Sequence, residues 1–374
     1  MTQAVIAGYV RTPFHFARKG ALAGVRPDDL AATAIKALVE RTGIDPATLE
    51  DVLLGVAYPE ASQGNNIARI ASLLAGLPIE VSGMTVNRFC GSSMSAIHIA
   101  AGQIAIGAGD AFIAGGVESM TMVPQGGFNF SPNPKMLEAY VAMGQTAENV
   151  AERFGVSRLA QDELSLASQQ KAAAARAAGR LADEIVGVMT EAGMVDVDGC
   201  LRPNTTLEGL AALKPAFRPE GTVTAGTSSP LTDGASATLI ASEDYAARHG
   251  LDVTARIVSV AAAGCPPEIM GMGPVPATRK ALARAGLTID DIDVVEINEA
   301  FGSQAVACIR ELGIPMEKVN IDGGGIAIGH PLGATGARIT AKAAQILKRE
   351  GKRYALATQC IGGGQGVATI LQAA

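Results

Sequence analysis

Cys90, His330 and Cys360 lie far apart in a chain of 374 residues, yet each occupies a small glycine-rich turn beside an apolar segment. Cys90 falls in Val86-Asn87-Arg88-Phe89-Cys90-Gly91-Ser92-Ser93-Met94, and His330 in Gly329-His330-Pro331-Leu332-Gly333. Cys360 falls in Gln359-Cys360-Ile361-Gly362-Gly363-Gly364. A thiol becomes a nucleophile once a base takes its proton. A second thiol and a histidine permit acid/base work at two ends of one carbon–carbon bond.

Taken singly, the three turns differ. Residues 81–86 predict a strand and Ser92–Ile106 a helix of small and apolar residues, which puts Cys90 at a strand-to-helix turn. Unpaired N–H groups and the helix dipole there favour a thiolate, lowering a thiol below its usual value of about 8.5. A buried structural cysteine is the alternative for this segment alone. His330 follows Asp322-Gly323-Gly324-Gly325-Ile326-Ala327-Ile328-Gly329. Packed glycines let backbone approach a ligand and turn N–H groups toward it. A histidine there can deprotonate Cys90 and then stabilise an oxyanion. His15, His98 and His249 have structural or solvated settings.

Cys360 is expected just after an apolar strand at 354–358. The glycine run that follows can be read as a phosphate loop, but it lacks the Lys-Ser/Thr ending and opens no dinucleotide-type Gly-x-Gly-x-x-Gly helix. A thiol used as acid/base beside an oxyanion hole fits better. Asn298, in Glu296-Ile297-Asn298-Glu299-Ala300-Phe301, is expected at the end of a strand at 292–295. It can orient a water or a carbonyl, or serve as an ordinary turn asparagine. Cys200, Cys265 and Cys308 read as packing residues.

The elements that must position these groups repeat. Ile35-Lys36-Ala37-Leu38 leads to Gly43-Ile44 and then to 49–54; Arg279-Lys280-Ala281-Leu282 leads to Gly286-Leu287 and then to 292–295. Each copy predicts an amphipathic helix, a glycine stop, a short acidic turn and a buried strand. A further turn, a helix and a final strand follow, at 111–114 and at 354–357. Two similar α/β halves would stack helices against each other. Between them, 119–229 has another texture, with Pro124, Gly126, Gly127, Pro132 and Pro134 before an Ala-rich helix at 159–178. The expected division is 1–118 with 230–251, then 119–229 as a loop domain, then 252–374.

Composition bounds the rest. Hydrophobic residues make up 48% and charged residues 18%, with 44 Gly and no Trp, which is a packed globular composition too long for one ordinary core. A net charge of −6 argues against bulk attraction to nucleic acid or an anionic membrane. The opening residues predict a strand rather than a signal peptide, and no apolar run is expected to span a membrane. Five cysteines without a Cys-x-x-Cys pair argue against a disulfide framework or a metal site, so a reducing cytoplasmic setting is expected.

With these motifs in place, the chain resembles the thiolases, acetyl-CoA acyltransferases, over nearly its whole length. The resemblance rests on Asn87-Arg88-Phe89-Cys90, Gly221-Thr222-Val223-Thr224-Ala225-Gly226, Asn298-Glu299-Ala300-Phe301, Gly329-His330-Pro331-Leu332-Gly333 and Cys360-Ile361-Gly362. The Cys-Gly-Ser-Ser-Met form is most similar to degradative bacterial 3-ketoacyl-CoA thiolases. It implies a layered αβαβα core of two duplicated halves with an inserted loop domain over CoA. It further implies a Cys90 acyl-enzyme activated by His330, with Cys360 as acid/base. One oxyanion hole would use His330 and a water held by Asn298, and another the N–H groups of Cys90 and Gly362. CoA would meet Arg202, Phe217 and Ser229, and the acyl end Met143, Met270 and Phe301. CoA thioesters are then substrates, no cofactor or metal is needed, and a homodimer or homotetramer is expected. Asp322, Gly325 and Gly302 depart from the usual Asn, Ala and Ala, and Ala142 stands where biosynthetic members often carry histidine. A ketoacyl-synthase-like enzyme would instead carry histidine at 298 and lack the second thiol. A non-catalytic carrier would have lost one of the trio.

Overall fold

The computed structural model describes residues 2–374. The first half runs β1 (Ala4–Arg11), β2 (His15–Phe16), α1 (Pro27–Thr42), β3 (Asp51–Gly55), α2 (Ile67–Leu74), β4 (Ser82–Val86), α3 (Ser92–Ile106) and β5 (Ala111–Ser119). An excursion follows with α4 (Met143–Arg153), α5 (Arg158–Ala177), the hairpin β6 (Val188–Thr190) and β7 (Gly193–Val195), and α6 (Leu207–Ala211). The chain returns through β8 (Thr232–Ser242) and α7 (Glu243–Arg248). The second half contains β9 (Ala255–Gly264), α8 (Pro274–Ala285), β10 (Val294–Ile297), α9 (Gly302–Leu312), α10 (Gly325–Ile328), α11 (Leu332–Glu350), β11 (Tyr354–Ile361) and β12 (Gln365–Ala373).

The repeat in the sequence is a repeat in space. α1 starts on Pro27, buries Leu30, Ala34 and Leu38 along one face, and stops at Gly43, whose φ of 65° needs no Cβ. α8 starts on Pro274 and stops at Gly286 in the same left-handed conformation, with φ 67°. The strands run in the order β10-β11-β12-β9-β1-β8-β5-β3-β4, with β2 paired to β8. β3 lies parallel to β4 and β5, as β10 does to β11, and the strands that return beside them are antiparallel. Each half carries one strand more than the repeat predicts, β8 and β12. Val319, in a parallel bridge to Val295, stands where β4 stands in the first half.

Five layers result. α1 and α2 cover the outer face of the first sheet half through Leu30, Ile35 and Val52. α8 and α9 cover that of the second through Ala281, Ile309 and Leu356. Between the sheet halves lie α3 and α11, whose Ile97, Ala337 and Ile339 share one cluster with strand residues of both halves. The halves meet at a narrow seam, Val5 opposite Arg256 and Ile6 opposite Ala255. The stretch 89–106, long and apolar enough to suit a membrane span, is this central helix and the turn before it. It carries Ser92, Ser93 and Ser95 buried against the core.

The central helices approach closely because side chains are missing. A Cβ on Gly336 of α11 would lie 2.4 Å from the Met94 nitrogen of α3. A Cβ on Gly116 of β5 would lie 2.0 Å from the Gly333 carbonyl oxygen. Backbone on both sides of these contacts leaves nothing flexible to give way. Gly336→Ala is therefore expected to destabilise the fold by about 1–3 kcal/mol. Thermal or urea unfolding checks it, and an unchanged midpoint would remove this account of the helix contact.

Candidate active site

Cys90 is held at the end of β4, just before the Gly91 cap of α3. The preceding Phe89 has φ 43°, an unusual conformation for a bulky residue and one the surroundings must impose. Asn87 Oδ1 accepts from the Phe89 N–H at 2.9 Å, and the Ser92 hydroxyl donates to the Phe89 carbonyl at 2.6 Å while accepting from the Arg88 N–H at 2.9 Å. Gln359 Nε2 donates to the Cys90 carbonyl, tying this turn to β11. One edge of Cys90 opens to a cavity and protein encloses the rest. Burial pushes the Cys90 thiol up to about 11, against the N–H groups of Gly362 and of Cys90 itself, which favour the thiolate; the Glu118 charge adds to the rise. The sequence pointed the other way, toward a thiol lowered by the helix end; desolvation prevails.

His330 enters on Gly329, whose φ is 111°, and its own N–H donates to Thr232 Oγ1 at 3.0 Å. Its Nδ1 lies 2.6 Å from Thr335 Oγ1, and that hydroxyl donates to the Pro331 carbonyl at 2.9 Å. The hydroxyl's only hydrogen is thereby used, so Nδ1 must carry the donor proton and Nε2 keeps its lone pair. Burial, aided by the Arg338 charge, pushes the imidazole down to about 3, so it is neutral and able to accept a proton. Asn298 Nδ2 faces Nε2 at 3.2 Å, whereas Asn298 Oδ1 is buried with no protein donor. An amide turn would offer that oxygen to a protonated Nε2. Asn298 can serve both charge states of the ring.

The glycine triplet ahead of His330 is a packing device. Glu299 lies beneath it, accepting from Ser168 Oγ at 2.6 Å, Asn320 Nδ2 at 2.7 Å and the Ile326 N–H at 3.2 Å. A Cβ on Gly324 would sit 2.1 Å from the Glu299 carboxyl carbon, and one on Gly325 2.8 Å from Asn298 Oδ1. Asp322 is buried as an ion, paired with Lys342 at 3.0 Å, Arg349 at 2.6 Å and Arg180 at 2.9 Å. A Cβ on Gly302 would press on the Gln161 carbonyl at 3.2 Å.

Cys360 lies inside β11, opposite Gly366, not after the strand as its sequence suggests. The strand runs on to Ile361, and the tight turn at Gly363 and Gly364 follows it. Burial holds the Cys360 thiol well above the ordinary range, and the neighbouring Cys90, Cys308 and Cys265 add to the rise. Cys90, His330, Cys360 and Gly362 line one cavity of about 780 Å³. Phe217, Ser229, Met143, Met270 and Phe301 line it too. Asn298 lies behind His330, wholly buried. Phe217 and Phe301 meet edge to face at 5.9 Å, and Ser229 donates to the Ala300 carbonyl at 3.0 Å. Met270 and Phe301 pack with Cys360 in one apolar cluster that Met143 borders. Arg202 stands apart, over the Phe16 ring at 5.1 Å and in a second cavity of about 350 Å³.

Several site residues escape sequence reading. Thr335 sets the imidazole tautomer from one helical turn beyond His330. Tyr58 lines the cavity and, with Cys90, borders a cluster of Ala57, Met120 and Leu332. Glu118 follows seven strand residues with no polar side chain, and an acidic residue there was the available signal. Cys200 and Cys308 are buried core residues, and His98 is engaged by Thr369 Oγ1 at 2.8 Å.

The family described as "Thiolase, N-terminal domain" matches residues 4–244, and "Thiolase, C-terminal domain" matches 251–373. A protein named 3-ketoacyl-CoA thiolase from Pseudoalteromonas translucida is 47% identical, covering 100% of this chain and 99% of its own. Proteins of the same name from Shewanella loihica and Shewanella oneidensis are each 48% identical over the full length of both chains. The chain belongs to the thiolase family, and its fold is the thiolase fold. Membership makes it an acyltransferase.

Thr335→Val keeps the shape of residue 335 and removes the acceptor for Nδ1–H. Turnover is expected to fall at least about tenfold, with KM within about twofold, because the ring loses its fixed tautomer. Steady-state kinetics on the variant checks this; unchanged kcat would contradict the tautomer assignment.

Proposed function

We infer that this enzyme cleaves 3-ketoacyl-CoA thioesters with CoA, reversibly, through an acyl-enzyme on Cys90. The observation that carries the reading is the single cavity shared by two thiols, a neutral imidazole and the Gly362 amide. The relatives' name, 3-ketoacyl-CoA thiolase, supports it. Cys90 Sγ attacks the 3-keto carbon as His330 Nε2 takes the thiol proton. The carbon–carbon bond then breaks, leaving the acyl group on Cys90 and the enolate of acetyl-CoA, which Cys360 protonates. The Cys360 thiolate takes the proton of an incoming CoA thiol. CoA attacks the acyl thioester, and departing Cys90 recovers its proton from His330. His330 with Asn298 would stabilise one oxyanion, and the N–H groups of Cys90 and Gly362 the other. No metal or organic cofactor enters these steps.

In this reading Phe217 and Ser229 hold CoA in the main cavity, and Arg202 meets its charged end from the second. Met143, Met270 and Phe301 pack against Cys360 and so contact the acetyl end. A longer acyl chain bound to Cys90 would run along Tyr58, Met120 and Leu332. Ala142, small and on the cavity wall, leaves room for it. That favours degradation of chains longer than acetoacetyl. The loop domain at 119–229 would cover CoA. β4 forms a sheet edge with Met84 exposed, which supports a homodimer or homotetramer. Five free cysteines suit a reducing, cytoplasmic setting.

Incubation with 3-ketoacyl-CoA should add one acyl mass to Cys90 in the wild type and none in Cys90→Ser. Equal labelling of both proteins would overturn the nucleophile. With CoA present, 3-ketooctanoyl-CoA should be cleaved with kcat/KM at least about tenfold above acetoacetyl-CoA, since each buried methylene is worth about 0.8 kcal/mol. A preference for acetoacetyl-CoA would instead mark a biosynthetic enzyme.

A further inference from the structure

Glu118, the penultimate residue of β5, lies on the face that Phe112 and Ala114 turn toward the central helices, and it is wholly buried. Its Oε2 accepts from the Ala57 N–H at 2.8 Å and the Gly333 N–H at 2.8 Å. Its Oε1 accepts from Gln63 Nε2 at 2.8 Å and the Tyr58 N–H at 3.3 Å. Gln63 in turn accepts from the Ser119 N–H at 2.6 Å and donates to the Tyr58 carbonyl at 2.8 Å. One carboxylate thus ties the loop after β3, which packs beside Cys90, to the first turn of α11, three residues after His330. Both oxygens face two N–H donors each. Neither position tolerates a hydrogen, so only an ionised carboxylate completes the joint.

We propose that Glu118 is a positioning residue for acyl transfer: its carboxylate fixes the His330 turn against the Tyr58–Cys90 wall. It touches no reacting atom, and it acts through Gly333, Ala57 and Tyr58. Its charge works against the fold. Burial pushes Glu118 up to about 7, and the donors from Ala57, Gln63, Gly333 and Tyr58 only partly offset this. The stabilisation from a raised carboxyl is present below the ordinary range near 4.5 and is lost as pH rises through about 7. A charge that costs stability where it is needed points to a role beyond stability.

Cys90, Tyr58 and His330 ionise outside the range of Glu118, and the carboxyls of Asp233 and Glu299, also raised by burial, are told apart from it by Gln63→Met, which removes a donor to Glu118 alone. Cys90 and Tyr58 are raised chiefly by burial, with a smaller rise from the Glu118 charge, to about 11 and about 12, and lie far above that range. His330 is neutral down to about 3. Asp233, beside it on β8, is turned to Thr121, accepting from the Thr121 N–H at 3.0 Å. Arg338 of α11 points to Glu296 at 3.2 Å. Glu296 is the other buried carboxyl near 7, raised by burial and partly offset by Arg338. Sites loosened by an ångström lose on the order of a hundredfold in rate, so protonation of Glu118 should remove activity as pH falls.

The test is kcat/KM of the intact enzyme from pH 5.5 to 9. The wild type should fall below about pH 7. Gln63→Met removes one donor to the carboxylate and should move that limb up by about one pH unit. Glu118→Gln should lose the limb and drop kcat about 100-fold with KM within about threefold, and Glu118→Asp should recover at least about tenfold of it. A limb unmoved in Gln63→Met, a limb that disappears in Glu296→Gln, or a folded Glu118→Gln within about threefold of wild type would overturn the proposal. Should Glu118→Gln fail to fold, the Gln63→Met limb decides. The proposal rests on the acyl-transfer reading, and the two fail distinguishably. Absence of turnover at every pH removes both, whereas turnover indifferent to residues 63 and 118 removes this one alone.

Discussion

The close meeting of α3 and α11 between the two sheet halves is the constraint on which the site depends. Gly336 admits the Met94 backbone, and Gly116 admits the carbonyl of Gly333 at the start of α11. Side chains at those positions would hold the helices apart. With them absent, the turns that enter the two helices open onto one cavity. Those turns carry Cys90 and His330. Cys360 comes from the neighbouring strand of the second half, whose Ile361 would collide with any Cβ on Gly91. Three residues distant in sequence become neighbours because two copies of one α/β unit face each other across their helices.

The same packing dries the site, and dryness sets its protonation. A thiolate–imidazolium pair would place two charges in a low-dielectric interior, and their attraction must then exceed two desolvation penalties. Here burial dominates at both residues, raising Cys90 and lowering His330. The resting pair is therefore neutral, and proton transfer accompanies attack on the substrate. The Gly362 and Cys90 N–H groups that favour the thiolate also suit an oxyanion, so charge finds preorganised donors only as it forms. Glu118 differs, a carboxylate held in the dry core by four N–H donors with no cation beside it.

The sequence made the reacting groups legible, since cysteine and histidine beside glycine-rich turns are rare enough to stand out. The repeat was legible too, because α1 and α8 share proline starts, glycine stops and buried faces. Strand ends were less so. β11 continues three residues past Thr358 because its pairing with β12 runs through to Ile361 opposite Gln365, a partner no local pattern reveals. The direction of the Cys90 shift was also hidden, since a helix end is visible in sequence and desolvation is not. Asp322, an apparent departure, is explained by Lys342, Arg180 and Arg349, whose convergence only the fold brings about. Thr335 and Glu118 act through hydrogen bonds across elements, beyond the reach of motif reading.

The neutral resting pair is the central claim, and thiolate absorbance near 240 nm tests it most directly. The difference between wild type and Cys90→Ser, followed from pH 6 to 11 without substrate, isolates Cys90. The account predicts no Cys90 thiolate at neutral pH, with ionisation beginning only as pH approaches about 11. A thiolate titrating below about pH 8 would contradict it, and would mean that an ion pair with His330 is already formed in the free enzyme.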